Sequence, residues 1–167
     1  MILDRRVLIL NELETLLGGL TITLTTGAIA AGNFVHNRNE LTKNKRPGII
    51  LLDADEVADP RVSQLQGGRD TAIPPRIMKM TPEIYVVLED RKPDNKNVGT
   101  DLSIARAEII KAVLLDKTLR DITGSNGSIV YDGCVTDLAR NRVMEGQMGI
   151  SFTFTYPFIP SEIAGQK

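Results

Sequence analysis

The N-terminal segment has the apolar periodicity of an amphipathic helix. Apolar side chains recur at intervals of three and four residues, and charged side chains stand between them. The apolar positions are Leu3, Val7, Leu10, Leu13 and Leu17. This spacing predicts a helix over residues 3–17, and the Gly18-Gly19 pair that follows predicts its end.

A different pattern follows this helix. From Leu20 to Thr25, apolar residues alternate with threonines, and a period of two predicts a half-buried strand. The surrounding residues 15–35 carry no charge, which also raises the possibility of a membrane span. Their four glycines and five threonines are poorly suited to a transmembrane helix. We therefore expect a strand here and no membrane association.

Four further segments have the character of strands. Gly48–Asp53 is a short apolar run typical of an interior strand, and Ile84–Leu88 is apolar and β-branched. Ser128–Tyr131 and Met148–Phe158 predict two antiparallel strands. The last segment alternates large apolar residues with serine and threonine, so one of its faces should be buried.

The clearest helical pattern lies in the second half of the chain. It begins at Thr100 or Asp101, either of which can cap a helix, and it continues to Asp121. Gly124 predicts the end of this helix.

Two segments rich in proline, glycine and charge predict long loops. They cover residues 59–81 and 89–99, and we expect both to be mobile in a free subunit. Residues 161–167 have no anchoring pattern and predict a flexible C-terminal tail.

These elements together predict an α/β (α+β) fold. Burying both helical stripes and the alternating strands requires a mixed, mostly antiparallel sheet with the two main helices packed on one face. A length of 167 residues suits one hydrophobic core of ordinary size. We therefore expect a single domain over residues 1–160, followed by the tail.

Candidate catalytic residues are scarce. The chain has one histidine, His36, and one cysteine, Cys134, and no glycine spacing matches a phosphate-binding loop. The acidic run Asp53–Asp59 could bind a metal ion, but it lacks the glycine and the distant glutamate of a calcium-binding loop. A solvated acidic turn or an interface patch are the alternatives. We expect no catalytic residue, no cofactor and no bound metal.

Charge is unevenly placed although the formal net charge is only -1. This balance gives no global attraction to nucleic acid. Basic residues precede the strand predicted at Gly48–Asp53, and acidic residues follow it. Such a surface can dock the basic end of one copy on the acidic end of the next and close a ring, or it can simply be solvated. The candidate interface residues are Arg38, Lys43, Lys45, Arg46, Asp53, Asp55, Glu56 and Asp59.

Three parts of the sequence carry a resemblance to a known family. They are Asn33–Leu41, Arg46–Glu56, and Asp132–Ala139 leading into Glu145–Phe158. Together they resemble the tail-terminator and minor tail proteins of tailed bacteriophages. In that family an N-terminal helix precedes an Arg-Asn-containing strand, a Pro-flanked apolar strand with an acidic turn, a long helix, and a last strand entering an aromatic-Pro sequence. The chain departs from the pattern at Ala54, where a glycine is expected.

The resemblance implies a structural virion protein without enzymatic activity. It implies a ring, commonly six-fold, that sits at the head-proximal end of the tail tube and stops tube polymerisation. The implied partners are other copies of the chain, the tail tube protein and the head connector or neck proteins. DNA would pass through the ring without specific contact, and the protein would be made in the host cytoplasm.

Three other functions fit the same sequence. A head-completion or neck adaptor protein would occupy a neighbouring place in the virion. A tail tube or sheath subunit would be present in many copies. A small hydrolase or binding module with an unrecognised site is the alternative from a different class.

Overall fold

The polypeptide folds into helices and a mixed sheet in an α+β arrangement, as the sequence predicts. A computed structural model describes residues 4–59, 76–88, 97–138 and 146–158. The elements in chain order are helix α1 (Arg5–Gly19), strands β1 (Ile22–Leu24), β2 (Gly27–Ile29), β3 (Phe34–His36), β4 (Gly48–Leu52), β5 (Glu56–Ala58), β6 (Arg76–Met80) and β7 (Glu83–Val87), helices α2 (Val98–Leu115) and α3 (Lys117–Thr123), and strands β8 (Ser128–Leu138) and β9 (Gly146–Phe158).

The main sheet is organised around β9. Strand β8 pairs with one side of β9, and β6 and β7 lie end to end along the other side, with Met80 opposite Phe154 and Glu83 opposite Ser151. Strands β5 and β4 pair in turn with β6 and β7, and β3 lies beyond β4. Only the β3–β4 pairing is parallel among the described strands. The predicted mixed, mostly antiparallel sheet is confirmed.

The helices pack on one face of this sheet, as predicted. Alternate side chains of β9 are buried in the main core there, whereas Ser151 and Thr155 between them are only half-buried. The core side chains from the helices and β9 are Ile9, Leu10, Leu13, Leu17, Val98, Leu102, Ala105, Ile109, Val113, Leu119, Met148, Ile150, Phe152, Phe154 and Tyr156. Both predicted helical stripes and the alternating strand therefore meet in one cluster.

Strand β4 is buried on both of its faces. Ile49 and Leu51 belong to the main core, whereas Ile50 packs on the opposite face with Val35 and Leu41. The strand also has a hydrogen-bonded neighbour on each side, β3 and β7. An uninterrupted apolar run suits such a position, and the predicted interior strand is confirmed.

Helix α1 confirms the first predicted helix but not its predicted end. Asp4 caps the N-terminus, because its side chain accepts a hydrogen bond from the backbone N–H of Arg6. The Gly18-Gly19 pair lies inside the last turn instead of ending the helix. The chain leaves the helix at Leu20, whose backbone is extended and leads into β1.

The second predicted helix is two helices. It begins at Val98, so the predicted start at Thr100 or Asp101 is wrong, and Asp101 lies in the first turn with a buried side chain. It is interrupted at Asp116, where the backbone is extended and the carboxylate accepts a hydrogen bond from the N–H of Leu119 at 2.6 Å. That bond caps α3. Gly124 ends α3 as predicted, with a φ of 74°.

Several short strands differ from the predictions. The strand predicted at Leu20–Thr25 is one arm of the β1–β2 hairpin, which forms a separate two-stranded sheet. Strand β6 occupies the end of the predicted loop 59–81, because its residues pair with the C-terminal half of β9. Strand β8 continues to Leu138, well beyond the predicted end at Tyr131.

The two predicted loops and the predicted tail lie mainly outside the described residues. Residues 60–75, 89–96 and 159–167 are not among the described residues. The predicted mobility of the loops and the flexible tail therefore stay predictions. The loop predicted at 89–99 ends earlier than expected, since α2 already begins at Val98.

Candidate interaction surface

Six of the eight predicted interface residues lie at opposite ends of β4. Lys43, Lys45 and Arg46 come before the strand, and Lys43 and Lys45 belong to a short 3-10 helix. Asp53, Asp55 and Glu56 come after it. A strand of this length separates the two groups by roughly 13–17 Å. Charges of opposite sign therefore mark the two ends of one interior strand.

Arg38 lies at the acidic end, contrary to the prediction. Strand β3 runs parallel to β4, so the residues that follow β3 lie beside those that follow β4. Asn37 fixes this arrangement, because its N–H donates to the carbonyl of Leu51 and its side-chain oxygen accepts the N–H of Asp53 at 3.0 Å. The parallel pairing, which has no signature in the sequence, is the reason for the error. His36, the last residue of β3, lies near the acidic end for the same reason.

Two of the basic side chains are tied to the fold. The ammonium of Lys45 donates to the carbonyl of Phe34 at 3.1 Å, and Nε of Arg46 donates to the carbonyl of Leu41 at 3.2 Å. Lys43 is exposed. Lys43 is therefore the basic residue at this end that is best placed to meet another molecule.

At the acidic end, too, some of the predicted interface residues are bonded within the chain and others are exposed. Glu56 accepts a hydrogen bond from the hydroxyl of Tyr156, and burial together with this carboxylate raises the pKa of Tyr156. Asp59 is half-buried, and its backbone N–H donates to the carbonyl of Ile77. Asp55 is exposed. Asp53 is exposed as well, but its carboxylate contacts His36. Asp55 is therefore the acidic residue at this end that is best placed to meet another molecule.

His36 lies between two carboxylates from different elements. Its Nε2 is 2.7 Å from Oδ1 of Asp53, and its Nδ1 is 3.1 Å from Oε2 of Glu14 on α1. Burial alone would lower the pKa of His36, but the hydrogen bonds to Asp53 and Glu14 outweigh it and raise the pKa above 6.5. Burial would raise the pKa of Asp53, but hydrogen bonds from His36 and Asn37 hold that pKa below its ordinary value.

Sequence reasoning missed this cluster. Glu14 is 22 positions from His36 in the chain, and only the packing of α1 against β3 brings the two side chains together. Of the three residues in the cluster, only Asp53 belongs to the acidic run that the sequence singles out. No local spacing in the sequence could have indicated the third member.

The described residues contain no metal-binding constellation. Within residues 4–59, 76–88, 97–138 and 146–158, no group of three or more His, Cys, Asp or Glu side chains is arranged to hold a metal ion. His36 and Cys134 lie on β3 and β8, at opposite sides of the main sheet. A Cys-His dyad is therefore not formed.

On the sheet face turned away from the helices, polar side chains surround the paired strands β6, β9 and β8. A groove of about 450 Å³ lies on it between β6, β8 and β9, and Lys79, Ser128, Asp132 and Thr155 are among its lining residues. Thr153 in this groove donates to the carboxylate of Asp132. Exposed valines interrupt the polar surface, with relative exposures of 55% for Val57, 47% for Val130 and 75% for Val135. Apolar area is therefore available for contact with another molecule.

Strand β8 forms an edge of the sheet. In the described part of the chain it pairs only with β9, so its other side offers backbone donors and acceptors. A register shift between Tyr131 and Gly133 bends the strand. Bulges of this kind limit uncontrolled strand pairing while leaving parts of an edge open to a specific partner.

No protein-family model matches the chain, and the search of curated proteins finds no match either. Within the described ranges, no helix combines the length and apolar character that a membrane span requires.

Proposed function

We propose that this chain is a structural subunit of a bacteriophage tail, a tail terminator that forms a ring at the head-proximal end of the tail tube. The observation that carries the proposal is the order of the elements. Helix α1 is followed by β3, with Asn37 and Arg38 directly after it, by β4 between Pro47 and the acidic Asp53, by α2, and by β9, which contains Pro157 near its end. The family that the sequence resembles has this order.

A ring requires a contact between two different surfaces of the same chain. Lys43 at one end of β4 and Asp55 at the other are exposed and of opposite sign, which suits such a head-to-tail contact. Exposed ion pairs contribute only about 0 to 1 kcal/mol each, so these charges would set register and association rate more than affinity. The exposed valines of the open sheet face and the edge of β8 would supply apolar contact and backbone hydrogen bonds.

The proposed role is structural and uses no catalytic residue, cofactor or metal. Both ring nitrogens of His36 are occupied by carboxylates, so the imidazole is not positioned to activate a neighbouring nucleophile. The proposed partners are further copies of the chain, the tail tube protein and the head connector or neck proteins. The proposed location is the virion tail, and DNA passes through the ring without specific contact.

A tube-assembly assay tests the proposal. Purified chain is added to polymerising tail tube protein, and tube lengths are measured in electron micrographs. A terminator shortens the tubes at amounts far below one chain per tube subunit and forms a ring at one tube end. Unchanged tube lengths at molar excess would reject the terminator role. In that case, polymerisation of the chain itself would indicate a tube subunit, and binding to the head connector alone would indicate a neck adaptor.

A further inference from the structure

One imidazole connects three elements of this fold. His36 ends β3, Glu14 belongs to α1, and Asp53 directly follows β4. We propose that protonated His36 is a pH-sensitive clamp that ties Glu14, in the C-terminal half of α1, to the ends of β3 and β4 and releases Glu14 when the ring loses a proton. This inference concerns the subunit itself and does not depend on the proposed function.

The geometry suits a ring that carries two protons, provided that both carboxylates are ionised. A neutral imidazole has one N–H and can donate to one carboxylate only, and an ionised carboxylate has no proton to give. Both nitrogens of His36 nevertheless lie within hydrogen-bond distance of a carboxylate oxygen, at 2.7 Å from Asp53 and 3.1 Å from Glu14. In a neutral ring, one nitrogen lone pair would face an oxygen lone pair. The arrangement is therefore that of the imidazolium.

The two contacts differ in strength. The contact with Asp53 is shorter, and the backbone of Asp53 is also held by Asn37. Glu14 is the more exposed partner, with 51% of its side chain accessible against 32% for Asp53. The remaining proton of a neutral ring should therefore stay on Nε2, and the contact with Glu14 should be lost.

Release of Glu14 should be a local event. Leu13 and Leu17 keep α1 buried against the sheet, and the guanidinium of Arg6 donates to the carbonyl of Ala54 at 2.9 Å. These contacts do not involve His36. The clamp therefore controls the last turns of α1 and leaves the docking of the helix in place.

The surrounding charges favour the closed clamp. Among the described residues, Glu14 from α1 and Asp53 from the end of β4 are the charged groups that act on the ring, and both stabilise the imidazolium. Arg6 from α1 acts on Asp53 and favours its ionised form. The clamp is closed below the ordinary imidazole pKa of about 6.5 and opens as the pH rises through the higher pKa of His36 in the folded protein.

An NMR titration of the full chain tests the first half of the proposal. The chain has a single histidine, so its ring signals need no assignment. We expect a pKa above about 6.5, lower pKa values in Glu14→Gln and Asp53→Asn, and no change in Glu12→Gln, which removes the same charge from the same helix. A pKa at or below 6.5, or one that neither Glu14→Gln nor Asp53→Asn lowers, would overturn the clamp.

Amide hydrogen exchange tests the second half. After correction for the intrinsic pH dependence of exchange, the last turns of α1 should open roughly 2- to 10-fold more readily above the pKa of His36 than below it. His36→Gln, which cannot titrate, should remove this step while the remainder of α1 exchanges as in the original chain. A step of equal size in His36→Gln, or no step in the original chain, would show that ring protonation does not control α1.

Discussion

The carboxylate of Asp101 holds the turn of the β1–β2 hairpin through Thr25. One of its oxygens accepts the backbone N–H of Thr25 at 2.7 Å and the hydroxyl of the same residue at 2.6 Å. The other oxygen accepts the hydroxyl of Thr26 at 2.8 Å. Asp101 is fully buried, so these bonds offset the cost of removing a carboxylate from water. The hairpin is thereby fixed to the first turn of α2.

Replacing this carboxylate should destabilise the fold. Asp101→Ala should lower the free energy of unfolding by about 2 to 4 kcal/mol, because several donors lose their acceptor at a buried site. Asp101→Asn, which keeps one carbonyl oxygen, should cost less. Urea denaturation measures both, with the exposed Ser103→Ala on the same helix as a control expected within about 0.5 kcal/mol of the original chain. A loss in Asp101→Ala no larger than in Ser103→Ala would contradict the role of this contact.

Alanine substitution should affect the stability of the fold in opposite ways at two glycines. A methyl group at Gly127 would overlap the backbone carbonyl oxygens of Thr123 and Thr155, whereas at Gly99 it would meet no atom within 4 Å. Gly127→Ala should therefore cost about 1 to 3 kcal/mol. Gly99→Ala should be neutral or stabilising by up to about 1 kcal/mol, because alanine favours the first turn of α2. Thermal unfolding of the two variants measures this difference. Equal melting temperatures would contradict the close approach of Gly127 to the backbone of Thr123 and Thr155.

Stability should depend on pH through His36 and Asp53. The raised pKa of His36 gives a contribution that is complete below about 6.5 and is lost as the pH rises through the pKa in the folded protein. The lowered pKa of Asp53 gives a contribution that is complete above about 4 and is lost as the pH falls through its folded pKa. Both contributions are therefore complete between about pH 4 and 6.5.

Denaturant unfolding across a pH series measures this dependence. His36→Gln should flatten the decline in the free energy of unfolding on the alkaline side of that range, while Glu12→Gln should leave the decline unchanged. A decline of the same size in His36→Gln would assign the pH dependence to other groups.

The parts of the fold that the sequence predicts depend on contacts between near neighbours in the chain. The stripe of α1 and the alternation of β9 each repeat within one element, so the core face of each could be read from its spacing. The sequence does not indicate whether β3 and β4 pair in parallel or antiparallel. Because they are parallel, Arg38 lies at the acidic end of β4 and not at the predicted basic end.

The misassigned elements have equally specific causes. The break at Asp116 lies within an otherwise continuous helical pattern, and the capping bond to Leu119 decides it. Strand β6 is stabilised by pairing with β9, which is distant in sequence. The Glu14–His36–Asp53 cluster likewise depends on the packing of α1 against the sheet. Local propensity and periodicity carry no signal for such long-range contacts.

The charge-matched contact in the proposed ring can be tested at two positions. Asp55→Lys should weaken self-association at low salt, and adding Lys43→Glu in the same chain should restore part of it. Asp55 and Lys43 are exposed, whereas reversing Glu56 or Lys45 would also remove a bond within the chain. Light scattering at increasing salt measures the effect, since screening acts within about 10 Å at 0.1 M salt. If Asp55→Lys leaves self-association unchanged, these two charges face solvent and form no contact between copies of the chain.

Electron micrographs of the purified protein test whether the chain is the ring-forming subunit that we propose. We expect closed rings of uniform size with a central opening, and a molar mass in solution that is a fixed multiple of the chain mass. Monomers at all concentrations, or open filaments without a closed ring, would contradict it.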